Sequence, residues 1–279
     1  MFVPFLIMLR EGVEAALIVG IIASYLVQTG RGRALNAVWL GVGAACLLCL
    51  ATGLGLHRAA AEFPQKAQEL FEAAVGLLAA IILTLMVFWM REAAQSIKAQ
   101  LHGRVDEALS RAEGGGLALA GMAFLAVARE GLESVVFLMA AFSQEDLGWQ
   151  PAIGACLGLL AAVAIGVAVF RFGRRLDLRR FFRWTGVLIL FVAAGLLAGA
   201  LRSAHEAGLW NGLQATAYDL SEILPLDSLA GTLLAGLFGY RDAPSLGELL
   251  LYLAFLLPAL ALFLRPAAAG RRAEKVQNA

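Results

Sequence analysis

Long apolar blocks run through this chain and constrain its fold more than any other feature. Residues 35–56 carry no charged side chain, and neither do residues 73–90 or 184–201. A helix of about 20 apolar residues spans the hydrocarbon core of a bilayer. With 61% hydrophobic and 15% charged residues, the chain is also poorer in charge than water-soluble domains, which usually carry about 25%. We therefore predict a polytopic membrane protein.

The apolar blocks are predicted to be helices, because backbone groups in lipid must satisfy one another within the segment. The fold class is accordingly an all-α membrane protein with seven transmembrane helices. Their predicted bounds are 2–24, 35–56, 69–90, 117–140, 152–171, 184–201 and 247–264. The first is not expected to be a cleaved signal peptide, because Arg10 and Glu11 interrupt its apolar core.

Lysine and arginine are unevenly distributed between the two sides of the predicted bundle. Sixteen of the 22 lie in the loops after the first, third and fifth spans and in the C-terminal tail. Cytoplasmic loops carry an excess of these residues. The distribution predicts an N-terminus outside the cytoplasm and a C-terminus inside it.

Two segments of the chain are near-copies of each other. FLIMLREGVEAAL at 5–17 matches FLAVAREGLESVV at 124–136 in Phe, Leu, Arg, Glu, Gly and Glu. An odd number of spans separates the copies, so they are predicted to cross the membrane in opposite directions. This pattern is typical of an inverted repeat, here spans 1–3 against spans 4–6 with a seventh span appended.

The repeat divides a single membrane transport domain, 1–279, into segments. These are a first three-helix repeat (1–92), a cytoplasmic linker (93–116), a second three-helix repeat (117–201), a periplasmic cap loop (202–246), a seventh span (247–265) and a cytoplasmic tail (266–279).

Each near-copy places three charged residues in the middle of a span. Glu11 and Glu14 share one helix face with Arg10, and the second copy repeats the arrangement in Arg129, Glu130 and Glu133. An ionised residue at the bilayer centre costs at least ~2.5–3.5 kcal/mol, so six cost roughly 15–20 kcal/mol before pairing. A typical protein has a net stability of only about 5–15 kcal/mol. The cluster must therefore line a wet path or be compensated inside the bundle.

Charge and ligand chemistry favour a divalent cation at this cluster. Four glutamates and two arginines leave a charge of −2. Carboxylates accept iron, manganese, magnesium or calcium. No predicted span contains histidine, which argues against a zinc or copper site. The alternative is a pair of buried ion pairs that only lock helices together. Gly12 and Gly131 are expected to let the two acidic faces approach closely.

A further group of residues is a candidate for gathering cations at the outer side. Glu69 and Glu72 open the third predicted span, and His205 and Glu206 follow the sixth. Their alternative role is that of ordinary solvated surface residues. Cys46 and Cys49 form a CxxC in an apolar helix and are interpreted as small packing residues, as are Met86 and Met90.

The motifs REGVE and REGLE resemble the REXXE motifs of the oxidase-dependent iron transporter family, the high-affinity iron permeases of fungi and bacteria. The segments MFVPFLIMLREG, EFPQK, QELFE, MVFWMR, AVAREGLES, FVAAGL and HEAGLWN extend the resemblance from residue 1 to about residue 265.

The resemblance implies an iron permease of the bacterial inner membrane. Glu11, Glu14, Glu130 and Glu133 would be the iron ligands, with Arg10 and Arg129 as their charge partners. Iron would be the transported substrate, with no tightly bound cofactor and no enzymatic activity. The bacterial system that the chain resembles pairs its permease with a periplasmic cupredoxin-like protein and a periplasmic haem peroxidase, whereas fungal relatives pair with a multicopper oxidase and pass ferric iron.

Other functions remain open from the residues alone. Carboxylates discriminate poorly between iron and manganese, so a transporter of another divalent cation is one alternative. A membrane-embedded lipid-pyrophosphate hydrolase is another, but no Ser- or Gly-rich phosphate cradle lies near either motif. A sensor that retains metal without flux is the third. The sequence shows no nucleic-acid-binding patch. The expected partners are membrane lipid and an iron ion.

Overall fold

A computed structural model describes residues 2–61, 63–93, 115–142, 149–172, 178–226 and 228–265. The helices within these ranges are α1 (Phe2–Gln28), α2 (Leu35–Ala61), α3 (Gln65–Ala93), α4 (Gly115–Phe142), α5 (Gln150–Phe172), α6 (Leu178–Glu206), α7 (Leu229–Phe238) and α8 (Leu246–Leu264). All seven predicted segments are helical, and α7 is a short additional helix. Most of the predicted linker and the whole predicted tail lie outside the described residues.

Five of these helices are long and apolar enough to cross a membrane, namely α2, α3, α5, α6 and α8. The other two long helices, α1 and α4, have 27 and 28 residues. Each of them carries the three charges of one motif, which sets it apart from the purely apolar spans. The chain is thus an all-helical polytopic membrane protein over the described residues.

Helices α1 and α5 pack side by side and run in the same direction. Gly12 faces Ala162, and four residues further along both helices Ala16 faces Gly166. We call the end of the bundle at which α1 begins the upper end, and the opposite end the lower end.

Helices α2 and α4 form a second parallel pair with the same character. Gly41 lies against Ala120 at the lower end, and Gly53 lies against Val135 further up. Small residues on one helix thus admit the backbone of the other, as is common where helices meet in membranes.

Helices α3 and α6 pack antiparallel, and α8 packs antiparallel on α6. Gly76 near the start of α3 meets Ala200 near the end of α6, whereas Gly186 meets Val87. The helix pairs are related by exchanging the first three helices with the next three in order. This exchange turns the α1–α5 pair into the α4–α2 pair and leaves the α3–α6 pair unchanged. The packing therefore has an approximate internal symmetry.

The segment between α6 and α8 covers the upper end, and we call residues 207–245 the cap. Helix α7 lies in it, begins at the N-cap Ser228, whose hydroxyl accepts from Gly231 N, and ends at Gly239. Gly239 has φ 65° and its Cα lies against Gly195 of α6, so both its conformation and its contact favour glycine. Gly236 of the same helix lies against Phe2. The cap is packed onto the helices rather than extended from them.

The cap begins later than the sequence predicts, because α6 continues to Glu206 rather than ending near residue 201. Its last turn holds Arg202 and Glu206, whose side chains approach to 3.9 Å. An i,i+4 ion pair of this kind supports helix continuation into the polar region.

Candidate metal site

The two motifs bring three carboxylates together at the interface of α1 and α4. Glu11 and Glu14 come from α1 and Glu130 from α4, and one ligand oxygen of each lies within 4.8 Å of the other two. All three residues are buried. Nowhere else in the described ranges do three His, Cys, Asp or Glu side chains approach at metal-ligand spacing. We call these three residues the acidic cluster.

Arg10 is the only arginine buried with this cluster among the described residues, and it is only 2% exposed. Its Nη1 donates to Glu11 Oε1 at 3.0 Å and lies 3.1 Å from Met86 Sδ. Its Nη2 lies 3.2 Å from Glu14 Oε1. One buried guanidinium therefore contacts two of the three buried carboxylates.

The acidic cluster is not fully satisfied by the side chains around it. Glu11 Oε2 is buried and accepts no hydrogen bond from the described residues, and Glu14 Oε1 has only its ion-pair contact with Arg10. Buried polar atoms without partners are uncommon and costly. These oxygens can accept a further positive charge, either a proton shared by the Glu11 and Glu130 carboxyl groups or a metal cation.

The second motif is placed differently from the first. Arg129 Nε donates to Glu133 Oε1 at 3.2 Å and lies 3.9 Å from Glu130 Oε1. The side chain of Arg129 is 59% exposed, and its guanidinium lies 5.4 Å from the ring centre of Trp89. A cation over an indole face is electrostatically favourable. Arg129 therefore lies at the surface of the chain rather than inside the cluster.

Glu133 is the predicted ligand that the acidic cluster does not include. Its side chain is 20% exposed and paired with Arg129. It is close enough to Glu14 for the two charges to interact. The structure therefore brings three of the four predicted ligands together and leaves the fourth at their edge.

We predicted that Gly12 and Gly131 would let the two acidic faces approach each other, and this was wrong, because both glycines pack against other helices. A Cβ on Gly12 would lie 2.6 Å from Ala162 Cβ of α5, and one on Gly131 would lie 2.5 Å from Cys49 Sγ of α2. The glycines thus face outward from the cluster, because residues one and two positions from a glutamate lie on other sides of the helix. Cys49 packs against α4 as predicted, with its sulfur 3.8 Å from Ala128 O.

Sequence reasoning missed the side chains that support the motifs from α3. Met86 was interpreted as a packing residue and is buried, but its sulfur also contacts Arg10. From the sequence, Trp89 would be interpreted as an aromatic residue at the membrane interface, yet it lies beside Arg129. The hydropathy pattern of α3 carries no signal for either contact.

The predicted outer residues all lie at the upper end, because α3 starts and α6 ends there. Glu69 and Glu72 accept hydrogen bonds from Gln65 and Gln68 at 3.1 and 3.2 Å. They do not form a metal-ligand group with His205 or Glu206 among the described residues.

The His205 ring packs against Trp210, with centroids 5.2 Å apart, and its Nε2 is buried without a hydrogen-bond partner in the described structure. Glu206 is exposed. The upper-end residues therefore remain separate features rather than one site.

Carboxylate oxygens are the ligands preferred by hard and borderline divalent cations. Three of them on two different helices would bind such a cation only while α1 and α4 keep their relative positions. The geometry of such a site therefore depends on how α1 packs on α4.

The sequence of this chain is similar to those of known proteins over nearly its whole length. Residues 1–270 match the model of the iron permease FTR1 family. The ferrous iron permease EfeU of Yersinia pestis is 55% identical over 266 residues, which cover 95% of this chain and 94% of that protein. The ferrous iron permease EfeU of Escherichia coli O6:K15:H31 is 54% identical over 275 residues, or 99% of each chain. No solved structure matches this chain.

The relatives are named as permeases, which supports a transporter rather than an enzyme and argues against the hydrolase alternative. The family match also confirms the resemblance drawn from the REXXE motifs. On this similarity, which extends over nearly the whole chain, the protein belongs to the FTR1 family of iron permeases.

Proposed function

We propose that this chain imports iron across the bacterial inner membrane and that the ion passes through the acidic cluster. The observation that carries the proposal is the convergence of Glu11, Glu14 and Glu130 with incompletely satisfied oxygens. Glu133 and Arg129 complete the site at its exposed edge, where Glu133 joins the ligands as the ion arrives or leaves. Arg10 holds the two glutamates of α1 in place.

The charge of the site supports a divalent ion. The two motifs together carry four carboxylates and two guanidinium groups, so a divalent cation neutralises the remainder. Ferrous iron has this charge, and the relatives named above are ferrous iron permeases. We infer ferrous iron as the species at the site, with any oxidation or reduction performed by a periplasmic cupredoxin-like protein and haem peroxidase.

The directions of the helices support seven alternating passes. Parallel packing of α1 with α5 and of α2 with α4, and antiparallel packing of α3 with α6, are what seven alternating spans require. The exchange symmetry of these pairs supports an inverted repeat of α1–α3 and α4–α6. With the basic loops in the cytoplasm, the upper end is periplasmic, and the N-terminus lies there.

Iron uptake by proteoliposomes tests the proposal. Purified wild type, Glu14→Gln and Glu130→Gln are reconstituted and supplied with radiolabelled Fe²⁺ under a reductant. Ligand loss is expected to lower the initial rate by about tenfold to a hundredfold, the range seen when even indirect support of a metal site is removed. The control is Glu222→Gln, an exposed cap glutamate that should leave uptake unchanged. Wild-type rates in both cluster variants would exclude the cluster from the pathway.

Manganese is the second candidate substrate, because carboxylates bind Mn²⁺ and Fe²⁺ with similar preference. Competition in the same vesicles separates the two. Iron selectivity predicts that equimolar Mn²⁺ leaves iron uptake nearly unchanged, whereas a general divalent transporter would show roughly halved uptake.

We also propose that Glu69, Glu72, His205 and Glu206 attract cations to the periplasmic side. They do not share one ligand group, so each is expected to contribute through its charge or its imidazole alone. Glu69→Gln with Glu72→Gln should raise the iron concentration needed for half-maximal uptake without lowering the maximal rate. An unchanged concentration dependence would remove them from the pathway.

A further inference from the structure

A cavity of about 630 Å³ opens at the upper end, between the cap and the bundle. Its walls come from α6, α8 and the cap. Val3 on α1 and Ala141 on α4, the two helices that carry the motifs, also line it. The volume is within the range of cavities that admit small ligands, about 300–1,000 Å³.

Val3 and Ala141 lie on the same helix faces as residues of the two motifs. On α1, Val3, Ile7 and Glu11 are spaced by four residues and therefore share one face. On α4, Ala141 and Phe137 lead in the same way to Glu133. Each step is about 6 Å along the helix axis. One side chain on each helix therefore separates the cavity from the carboxylates.

The two separating side chains form a dry layer. Ile7 and Phe137 are both 0% exposed and belong to the same buried apolar cluster, which also contains residues of α3, α6 and α8. A constriction of apolar side chains excludes water and blocks a hydrated ion. The site is therefore closed to the cavity in this conformation.

Below the motifs the site is sealed by a separate apolar cluster. Val19, Ile22 and Leu26 of α1 are buried over two turns, packed with Leu119 and Ala123 of α4. The site is therefore closed toward the lower end as well in this conformation.

We propose that this cavity is the vestibule through which the transported ion reaches the acidic cluster, and that Ile7 and Phe137 are the gate that closes it. The proposal rests on the proposed function of the cluster as the iron site. It assigns a role to two apolar residues and a cavity that contain none of the metal ligands.

The charged residues that line the vestibule do not form a cation-binding site. Arg202, Arg241 and Glu248 line it, so guanidinium groups outnumber carboxylates. Glu248 is engaged in a capping box with Ser245, whose hydroxyl donates to it at 3.0 Å and accepts from its backbone N–H at 3.2 Å. A bare cation is therefore not held in the vestibule, and tight binding is expected only beyond the gate.

Three tyrosine hydroxyls around the vestibule donate hydrogen bonds to backbone carbonyls of the cap. Tyr218 donates to Arg241 O at 3.1 Å, Tyr240 donates to Leu224 O at 2.9 Å and Tyr252 donates to Phe238 O. Burial, with the neighbouring Tyr240, Asp242 and Glu248, raises the pKa of Tyr218. That hydroxyl therefore remains a donor at neutral pH, and the cap keeps its position over the cavity.

Thiol labelling tests the gate directly. Ser134 is buried, and its hydroxyl donates to Glu130 O at 2.9 Å, so Ser134→Cys reports on the site. The reporter is placed in a chain with Cys46, Cys49 and Cys156 changed to alanine and exposed in spheroplasts to a cationic, membrane-impermeant methanethiosulfonate.

Ile7→Ala and Phe137→Ala are each expected to raise the labelling rate at least about tenfold, which corresponds to ~1.4 kcal/mol of barrier. Ile22→Ala is the matched control, an equal truncation on the same helix below the site. Unchanged labelling in both gate variants would overturn the proposal, and so would an equal increase with Ile22→Ala.

A plug in the vestibule gives a second test, in which retained Fe²⁺ binding reports that Ala141→Phe, a change at a buried residue, leaves the fold intact. Ala141→Phe projects a ring into the cavity and is expected to lower iron uptake about tenfold or more, while purified protein still binds Fe²⁺ at the cluster. Ala74→Phe on the exposed face of α3 is the control. Wild-type uptake by Ala141→Phe would overturn the vestibule alone, whereas wild-type uptake by Glu14→Gln would overturn the function of the cluster.

Discussion

The two motifs share their arginine, both glutamates and the glycine between them, but the fold gives them different surroundings. In α1, Arg10 is 2% exposed and contacts both glutamates of its own motif and Met86. In α4, Arg129 is 59% exposed and lies over Trp89. One motif is therefore a desolvated half of the site, and the other is a half that reaches the surface of the chain.

This difference teaches that internal symmetry in sequence does not impose equal roles. A buried guanidinium beside buried carboxylates is essential to the charge balance of the interior, whereas Arg129 at the surface of α4 is stabilised by Glu133 and by the indole of Trp89. We infer that the first motif fixes the geometry of the site and that the second, with Glu133 partly exposed, is the half through which ligand exchange occurs.

The largest expected contrast is between the two arginines. Arg10→Gln leaves Glu11 and Glu14 without their buried counter-charge and should lower the free energy of unfolding by about 3–5 kcal/mol. Arg129→Gln should lower it less, because the side chain of Arg129 is 59% exposed and that of Glu133, its ion-pair partner, is 20% exposed rather than buried. Chemical denaturation of the purified variants in detergent measures both. Equal losses would show that the two environments do not differ in solution as they do in the structure.

A double variant sharpens the first contrast. Adding Glu14→Gln to Arg10→Gln removes one of the two stranded carboxylates and should recover part of the lost stability, because the uncompensated buried charge is the cause of the loss. No recovery would point to lost packing of the arginine side chain rather than to charge.

The glycines should behave alike in the two motifs, which tests the symmetric part of the comparison. A Cβ at Gly12 or Gly131 would lie only 2.6 or 2.5 Å from Ala162 Cβ or Cys49 Sγ. Gly12→Ala and Gly131→Ala should each cost about 1–3 kcal/mol of stability, the usual cost of overpacking. Ala162→Gly should rescue the first and Cys49→Gly the second, as measured by thermal unfolding. Rescue by the wrong partner would contradict the packing described for these helices.

The smallest expected effect concerns the support of Arg129. Trp89→Leu removes the indole face beneath the guanidinium and should lower stability by about 0.5–1 kcal/mol, the value for an exposed cation–π contact. The same substitution combined with Arg129→Gln should add nothing further. A double-mutant cycle measures this coupling, and a coupling near zero would mean that the ring and the guanidinium do not interact.

Much of the fold was predictable because apolar blocks and charged loops mark membrane helices directly. The seven predicted segments match α1 to α6 and α8 to within a few residues at most ends. The repeat predicted that all four motif glutamates would meet, and Glu11, Glu14 and Glu130 do so. The helix within the cap was not predicted, although Ser228 and Gly239 are typical residues for the two ends of a helix.

The sequence could not predict which neighbour each motif would acquire. Periodicity shows that Gly12 and Glu11 lie on different faces, but not that α5 packs on the glycine face. The burial of Arg10 and the exposure of Arg129 follow from the position of α3, where Met86 meets one and Trp89 the other. Identical motifs carry no information about such long-range contacts.

Anomalous diffraction at the iron absorption edge, from crystals soaked anaerobically with Fe²⁺, tests the central claim most directly. The account predicts a peak between α1 and α4 within bonding distance of Glu11, Glu14 and Glu130, and no peak in crystals of Glu14→Gln. Iron bound elsewhere in transport-competent protein, with these three carboxylates free of metal, would contradict it.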